Sequence, residues 1–284
     1  MQKTLILAHR GLVTAYQENS LPAIKAAAES PYCDGTEFDV FLTKDQKVVL
    51  FHDENLKRLT GVDSNIYDMT WPELQNVALM DEIEVDGGLR KYARTEKICL
   101  LTDVLEELRG KDVFLDIELK AYNVSWGKRK IGREVARIVR QFGMEEQCVL
   151  TSFNFFMTLD AERAHPRIHT AFAYDDNIPL PGKWLNRILE SNLLGKLVRS
   201  SMVIAEHTLL DDDTITQFVA RHMRTGTFTL FPLVPQELPA YLVAEHADIL
   251  RRLVKQGVGW VETDHPELAH GVLHGKPLSS INVK

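Results

Sequence analysis

The chain has 284 residues, 45% hydrophobic and 26% charged, with a formal net charge of −7, so it can bury a core without staples and lacks the basic excess of a nucleic-acid-binding surface. Its three scattered cysteines, Cys33, Cys99 and Cys148, include no Cys-x-x-Cys pair and suit a reducing compartment better than a disulfide framework. The opening MQKTLILAHRG is too short and too soon charged for a secretory leader, and no run approaches about 18 apolar residues, so a cytoplasmic chain without a membrane span is expected.

In chain order, short apolar runs alternate with helix-length amphipathic stretches. TLILAH predicts a first strand that ends in His9-Arg10, and SLPAIKAAAES predicts the helix after it. GTEFDVFL predicts a second strand. A polar turn joins it to KVVLFH, a hairpin extension that ends in His52-Asp53. From about 54 to 98 the sequence is polar and irregular, with one short helix at MTWPELQNV and the stretch DEIEVDGGLRKYART. This is too long for a strand-to-helix loop and reads as an insertion over one end of the fold, of a kind more often functional than decorative. DVFLDIELK, QCVLTSF, IHTAFAY, SMVIAE, GTFTLFPLV and GVGWVETD predict the remaining strands. GREVARIVRQFG, FFMTLDAERAH, DDTITQFVARHM and AEHADILRRLVKQG predict helices between them, several closing on Gly or a basic residue as helix C-termini do. Counting KVVLFH with the second strand leaves eight strand–helix units in one domain spanning 1–284. Eight units in this length favour an α/β TIM (β/α)8 barrel, with a small insertion after the second strand at about 54–98, over an open doubly wound sheet.

In such a barrel, chemistry collects where the strands end. Glu37 and Asp39 are two apart on one strand, so their side chains share a face about 7 Å apart. In FLDIELK, Asp116, Glu118 and Lys120 share one face, and Leu115, Ile117 and Leu119 take the other. Strands of a parallel barrel are covered on both faces, so charges there need partners or a metal. Glu37, Asp39 and Glu118 offer only oxygen donors. Such a set suits one divalent cation, Mg2+ or Ca2+ with Mn2+ as a third choice, and argues against a structural zinc. On spacing alone, a salt-bridge network with Lys and Arg explains the same residues. His9 and His52 each end a strand and can act as base and acid near neutral pH. One strand-end histidine is more often structural, but two beside carboxylate strands favour catalysis. Arg10 and Lys120 supply a cationic clamp for a phosphate, a role compatible with salt bridges to neighbouring carboxylates.

AHRG followed by ENSLPAIKAA, then GTEFDVFLTKDQKVVLFHDENLKRLTG, FLDIELK and a closing GVGWVETDHPE, resemble the glycerophosphodiester phosphodiesterase family in order, spacing and residue type over nearly the whole chain. MTWPEL and LLTDVLEEL resemble the family's insertion and the helix that follows it. The resemblance implies a TIM barrel that hydrolyses glycerophosphodiesters to sn-glycerol 3-phosphate and an alcohol with a divalent metal, and hence a small-molecule partner. It implies His9 and His52 as the acid–base pair, Glu37, Asp39 and Glu118 as metal ligands, and Arg10 and Lys120 as phosphate-binding groups. The family's Trp-Thr strand before the last unit is replaced here by GTFTLFPLV. Phe231 and Trp260 either rebuild that aromatic wall or pack in the core, and their residue types favour the core. His207 is given no role. One rival reading is a lysophospholipase D-like phosphodiesterase at membranes, resting on the basic amphipathic stretch 183–200, which reads first as a solvated outer helix. The other is a non-catalytic phosphodiester-binding barrel, which the intact histidines oppose. The headgroup alcohol and the oligomeric state leave no sequence signal.

Overall fold

A ring of parallel strands organises the chain. The computed structural model describes residues 3–120, 130–174 and 202–275; the stretch 183–200 lies outside them. In chain order the strands are β1 (Leu5–Ala8), β2 (Gly35–Leu42), β3 (Val48–Leu50), β4 (Ala78–Leu79), β5 (Glu82–Val85), β6 (Gly88–Lys91), β7 (Glu96–Lys97), β8 (Phe114–Leu119), β9 (Cys148–Ser152), β10 (His169–Tyr174), β11 (Met202–Glu206), β12 (Arg224–Leu230) and β13 (Trp260–Thr263). Eight of them, β1, β2 and β8 to β13, pair in parallel succession, and β1 meets both β2 and β13. The sheet therefore closes into a TIM barrel with no free edge.

Every strand expected from the sequence forms, and KVVLFH extends the second strand as a hairpin, with Val40 opposite Leu50 and Leu42 opposite Val48. The expected helices that fall among the described residues also form. The first, Leu21–Glu29, starts where Ser20 accepts from the Ala23 N–H and Pro22 occupies the first turn, a favourable start because both residues suit the unpaired donors of a helix N-terminus. A helix not read from the sequence, Pro266–Leu273, closes the barrel.

The period-two alternation of the strands decides what faces where. Phe38 and Val40 of β2, with Leu115, Ile117 and Leu119 of β8, are buried in one apolar cluster with Ile24, Leu101 and Val135 of the surrounding helices. Glu37, Asp39, Asp116 and Glu118 take the opposite face, into the barrel. Below them, Leu7, Val149, Ala171, Ile204 and Trp260 fill the interior. Trp260 and Phe231 are both buried, as core residues.

The insertion, at about 54–98, lies in the connection from β3 to β8, ahead of the helix Leu101–Leu108. It is more regular than its composition suggests: β5 pairs with β6 and β4 with β7. The hairpin turn is Asp86-Gly87, with φ of 46° and 74°, the pairing that Asp-Gly favours. The insertion has its own apolar cluster, which includes Leu56, Leu59, Ile66, Leu74 and Ile83 and packs on Phe41 and Val49 of the β2–β3 hairpin. It is laced to the loop after β1: Gln17 Nε2 donates to Met80 O and Arg94 O at 2.9 and 2.7 Å, and Tyr92 donates to Val13 O at 3.1 Å. Arg90 bridges Thr14 O and Val234 O at 2.8 and 3.0 Å. The insertion thus lies over the C-terminal mouth and spans from the β1 loop to the β12 loop.

Ring closure at β2 depends on Gly35. A Cβ there would stand 1.8 Å from the carbonyl oxygen of Phe114 in the paired strand, an obstacle that cannot rotate away. Gly35→Ala should destabilise the fold by about 3 kcal/mol or more, read as a lowered urea midpoint at unchanged slope.

Candidate active site

The β2–β8 register sets Glu37 opposite Asp116 and Asp39 opposite Glu118. Glu37, Asp39 and Glu118 thereby bring one oxygen each to within 4.8 Å of the others. Asp39 is fixed on several sides. Asn19 Nδ2 donates to its Oδ2 at 2.8 Å, and its own N–H donates to Asn19 Oδ1 at 2.9 Å. Lys120 Nζ lies 3.1 Å from Asp39 Oδ1 and 2.7 Å from Glu118 Oε1, while Arg10 Nε is 3.4 Å from Asp39 Oδ2. Glu37 Oε2 accepts the Arg10 N–H at 2.9 Å. Its Oε1 is buried without a hydrogen-bond partner among the described residues. The loop that delivers these contacts is tightly bent, with Arg10 and Asn19 both at φ 57°, a conformation uncommon outside glycine and tolerated best by Asn and Asp.

The charges are unevenly satisfied. Burial opposes ionisation of Asp39, yet Lys120, His52 and Arg10 outweigh it and hold that carboxyl below the ordinary range. Glu37 is pushed well above the ordinary range by burial, then by the charges of Asp39 and Glu118. Burial also raises Glu118, against the pull of Lys120. An all-oxygen donor set, an unpartnered buried oxygen and mutual repulsion fit a hard divalent cation, whose charge would relieve that repulsion.

Both strand-end histidines reach this mouth, and each is oriented by an aspartate. His9 Nδ1 lies 2.8 Å from Asp264 Oδ1, and its Nε2 lies 3.9 Å from Glu37 Oε2. His52 Nδ1 lies 2.6 Å from Asp53 Oδ1. An ionised carboxylate only accepts, so Nδ1 carries the proton in both rings and Nε2 is left for proton transfer. Asp53 is held in turn by Arg58 Nε at 2.6 Å. Glu18 accepts from Arg58 at 2.7 and 3.0 Å and from Arg10 at 3.0 Å, joining the two guanidinium groups. Burial works against the Glu18 charge, but Arg10 and Arg58 bring its pKa down to about 2. Burial, then the charge of Arg10, lowers His52 to about 4, so its ring is neutral at neutral pH.

All seven residues selected from the sequence converge here. Several participants were not selected. Asp53 follows His52 directly and Asp264 stands in ETDHPE, so an acid beside a strand-end motif is the available signal. Glu18 and Arg58 are 40 residues apart; each stands in a stretch that resembles the family, ENSLPAIKAA and HDENLKRLTG, but their pairing has no signal short of the fold. The aromatic surface beside the clamp is not at Phe231 or Trp260, which are core. Phe153 and Phe228 meet edge to face at 6.1 Å, and Lys120 Nζ lies 6.0 Å from the Phe153 ring. Deeper in the barrel, burial pushes Asp116 up to about 7 and raises Glu262 well above the ordinary range, with Asp116 adding to the rise in Glu262; like charges in one dry layer favour keeping a proton between them.

The profile of the glycerophosphoryl diester phosphodiesterase family matches residues 9–268. A glycerophosphodiester phosphodiesterase of Caldanaerobacter subterraneus subsp. tengcongensis is 27% identical, over 93% of this chain and 96% of its own. A solved structure from Silicibacter pomeroyi superposes with a TM-score of 0.78 at 19% identity, covering 96% of this chain and 94% of its own. An Oleispira antarctica phosphodiesterase, solved in complex with the product sn-glycerol-3-phosphate, gives 0.70 at 20% identity, covering 95% and 96%.

Calorimetric titration with Mg2+, Ca2+ and Mn2+ tests the carboxylate cluster. Glu37→Gln, Asp39→Asn and Glu118→Gln should each weaken cation binding by roughly tenfold or more while circular dichroism stays native. Unchanged affinity in all three would leave a salt-bridge network as the explanation of these residues.

Proposed function

We infer that this chain, which belongs to the glycerophosphoryl diester phosphodiesterase family, hydrolyses glycerophosphodiesters to sn-glycerol 3-phosphate and an alcohol in one catalytic domain. In this reading His9 and His52 are the acid–base pair, Arg10 and Lys120 bind phosphate, and Glu37, Asp39 and Glu118 hold one divalent cation, Mg2+ or Ca2+ with Mn2+ as a third choice. The observation that supports it best is three carboxylate oxygens within 4.8 Å beside two imidazoles, each tied through Nδ1 to an aspartate.

Bound at the three carboxylates, a divalent cation supplies Lewis-acid stabilisation of phosphoryl oxygens. Arg10 and Lys120 add hydrogen bonds and charge where negative charge develops. Both are held by acids at rest, so they meet the phosphodiester already oriented. His52 starts neutral, because burial and Arg10 disfavour its imidazolium. It takes the proton of the attacking hydroxyl, from water or from the substrate's own glycerol. His9, with Asp264 on Nδ1 and Glu37 near Nε2, gives a proton to the leaving alkoxide. Phe153 and Phe228 offer an apolar surface beside the phosphate site, and the insertion frames the entrance through Arg90 and Tyr92.

On glycerophosphocholine, His9→Ala and His52→Ala should each lower kcat by roughly a hundredfold or more, and the double variant should lose little further because the pair serves one reaction. A p-nitrophenyl leaving group needs little protonation and should rescue His9→Ala but not His52→Ala. Near-normal rates for both variants on the natural diester would make the histidines structural. The pH profile carries a second test. Only charged His52 is penalised, so the ring stays neutral as pH falls past 6.5 and protonates on approach to about 4. With saturating cation, the acid limb of kcat/KM should therefore fall below pH 6.5; a limb above that value would show that His52 is not the base.

A further inference from the structure

The end of β12 departs from regular strand geometry. Its register with β13 shifts between Thr227 and Leu230, and Thr229 and Phe231 lie at φ 69° and 49°. A β-branched and an aromatic residue rarely adopt this left-handed conformation, and it persists only where surrounding structure enforces it. The enforcing contact is buried: the Phe231 N–H donates to His246 Nδ1 at 2.7 Å. His246 belongs to the outer helix Ala240–Lys255, and its ring is 5.6 Å from that of Phe231. Two residues further on, the Leu233 N–H donates to Asp264 Oδ2 at 2.6 Å. The other oxygen of Asp264 holds His9. A buried imidazole on the outside of the barrel is thus connected through a bent loop to the ring of His9.

We propose that His246 is a positioning residue for phosphodiester cleavage: its Nδ1 fixes the bend at Phe231 so that Leu233 and Asp264 hold His9 with Nε2 toward the reacting phosphate. The inference rests on the role given above to His9. His246 can accept here only with its proton on Nε2. Burial, then the neighbouring His207 ring at 5.2 Å, lowers its pKa against the opposing charge of Glu245, which favours that form at neutral pH. A purely structural role would also satisfy a buried N–H, but would change stability without a selective loss of turnover.

The test measures kcat, KM and urea stability of the intact, cation-saturated enzyme on glycerophosphocholine. His246→Leu keeps bulk and removes the acceptor. His246→Asn places an amide oxygen near the position of Nδ1, whereas His246→Gln carries it past that point. His246→Leu and His246→Gln should lose roughly tenfold or more in kcat with KM nearly unchanged, since small misplacements of a reacting group are costly. His246→Asn should recover most of the loss. The double variant of His246→Leu with Asp264→Asn should be no slower than Asp264→Asn alone, because both act through one carboxylate. Parental kcat in folded His246→Leu, a deficit that Asn does not restore, or multiplied losses in the double variant would each overturn the proposal. Should the Leu variant fail to fold, the contrast between Asn and Gln decides the same question. Parental kcat in Asp264→Asn would instead overturn the reading of His9 itself.

Discussion

Asp39 and Glu118 lie side by side on paired strands, with Glu37 one step below, in a place where water screens them poorly. Much of the mouth is arranged around that concentration of negative charge. Lys120 bridges two of the acids, Arg10 approaches from the β1 loop, and Asn19 bonds Asp39 through both side-chain atoms. Each contact reduces the desolvation cost of a buried carboxylate, and none reaches the free oxygen of Glu37. The same electrostatic tension would be relieved by the hard cation proposed for this site.

The cations are constrained as closely as the acids. Arg10 and Arg58 share Glu18, Arg58 also holds Asp53, and Asp53 orients His52. Arg58 lies in the insertion, whereas Glu18 lies in the loop after β1. Orientation of one histidine therefore depends on the insertion being docked. The other histidine depends on Asp264, at the far end of the chain. Neither ring is positioned by its own strand alone.

Residues that act through a local period were legible before the fold was known. FLDIEL separates its acids from its leucines by simple alternation, and the inward acids of β2 and β8 follow from it. The strand-end histidines were legible for the same reason. Partners brought together by closure were not: Glu18 and Arg58 each stand in a stretch that resembles the family, yet nothing local pairs them across 40 residues, and Phe228 acquires its place only because the sheet curls until β12 faces β9. The insertion read as irregular because its strands are two to four residues long, too short for alternation to register, although Asp86-Gly87 marks its hairpin. His246 looked like one more helical residue, because its value lies in a bond to a bent backbone that no sequence pattern reveals.

The contact between His9 and Asp264 spans 255 residues and crosses the seam where β1 meets β13. A ribosome releases the first of these strands long before the second, so the nascent chain carries its acids and His52 without the fixed His9. The His9 ring is therefore fixed only in the step that pairs β13 against β1. The same seam is a fuse in the mature molecule: a local opening there, well short of global unfolding, releases His9. On the role proposed for His9, turnover would fade in heat or denaturant before the bulk of the helices melts.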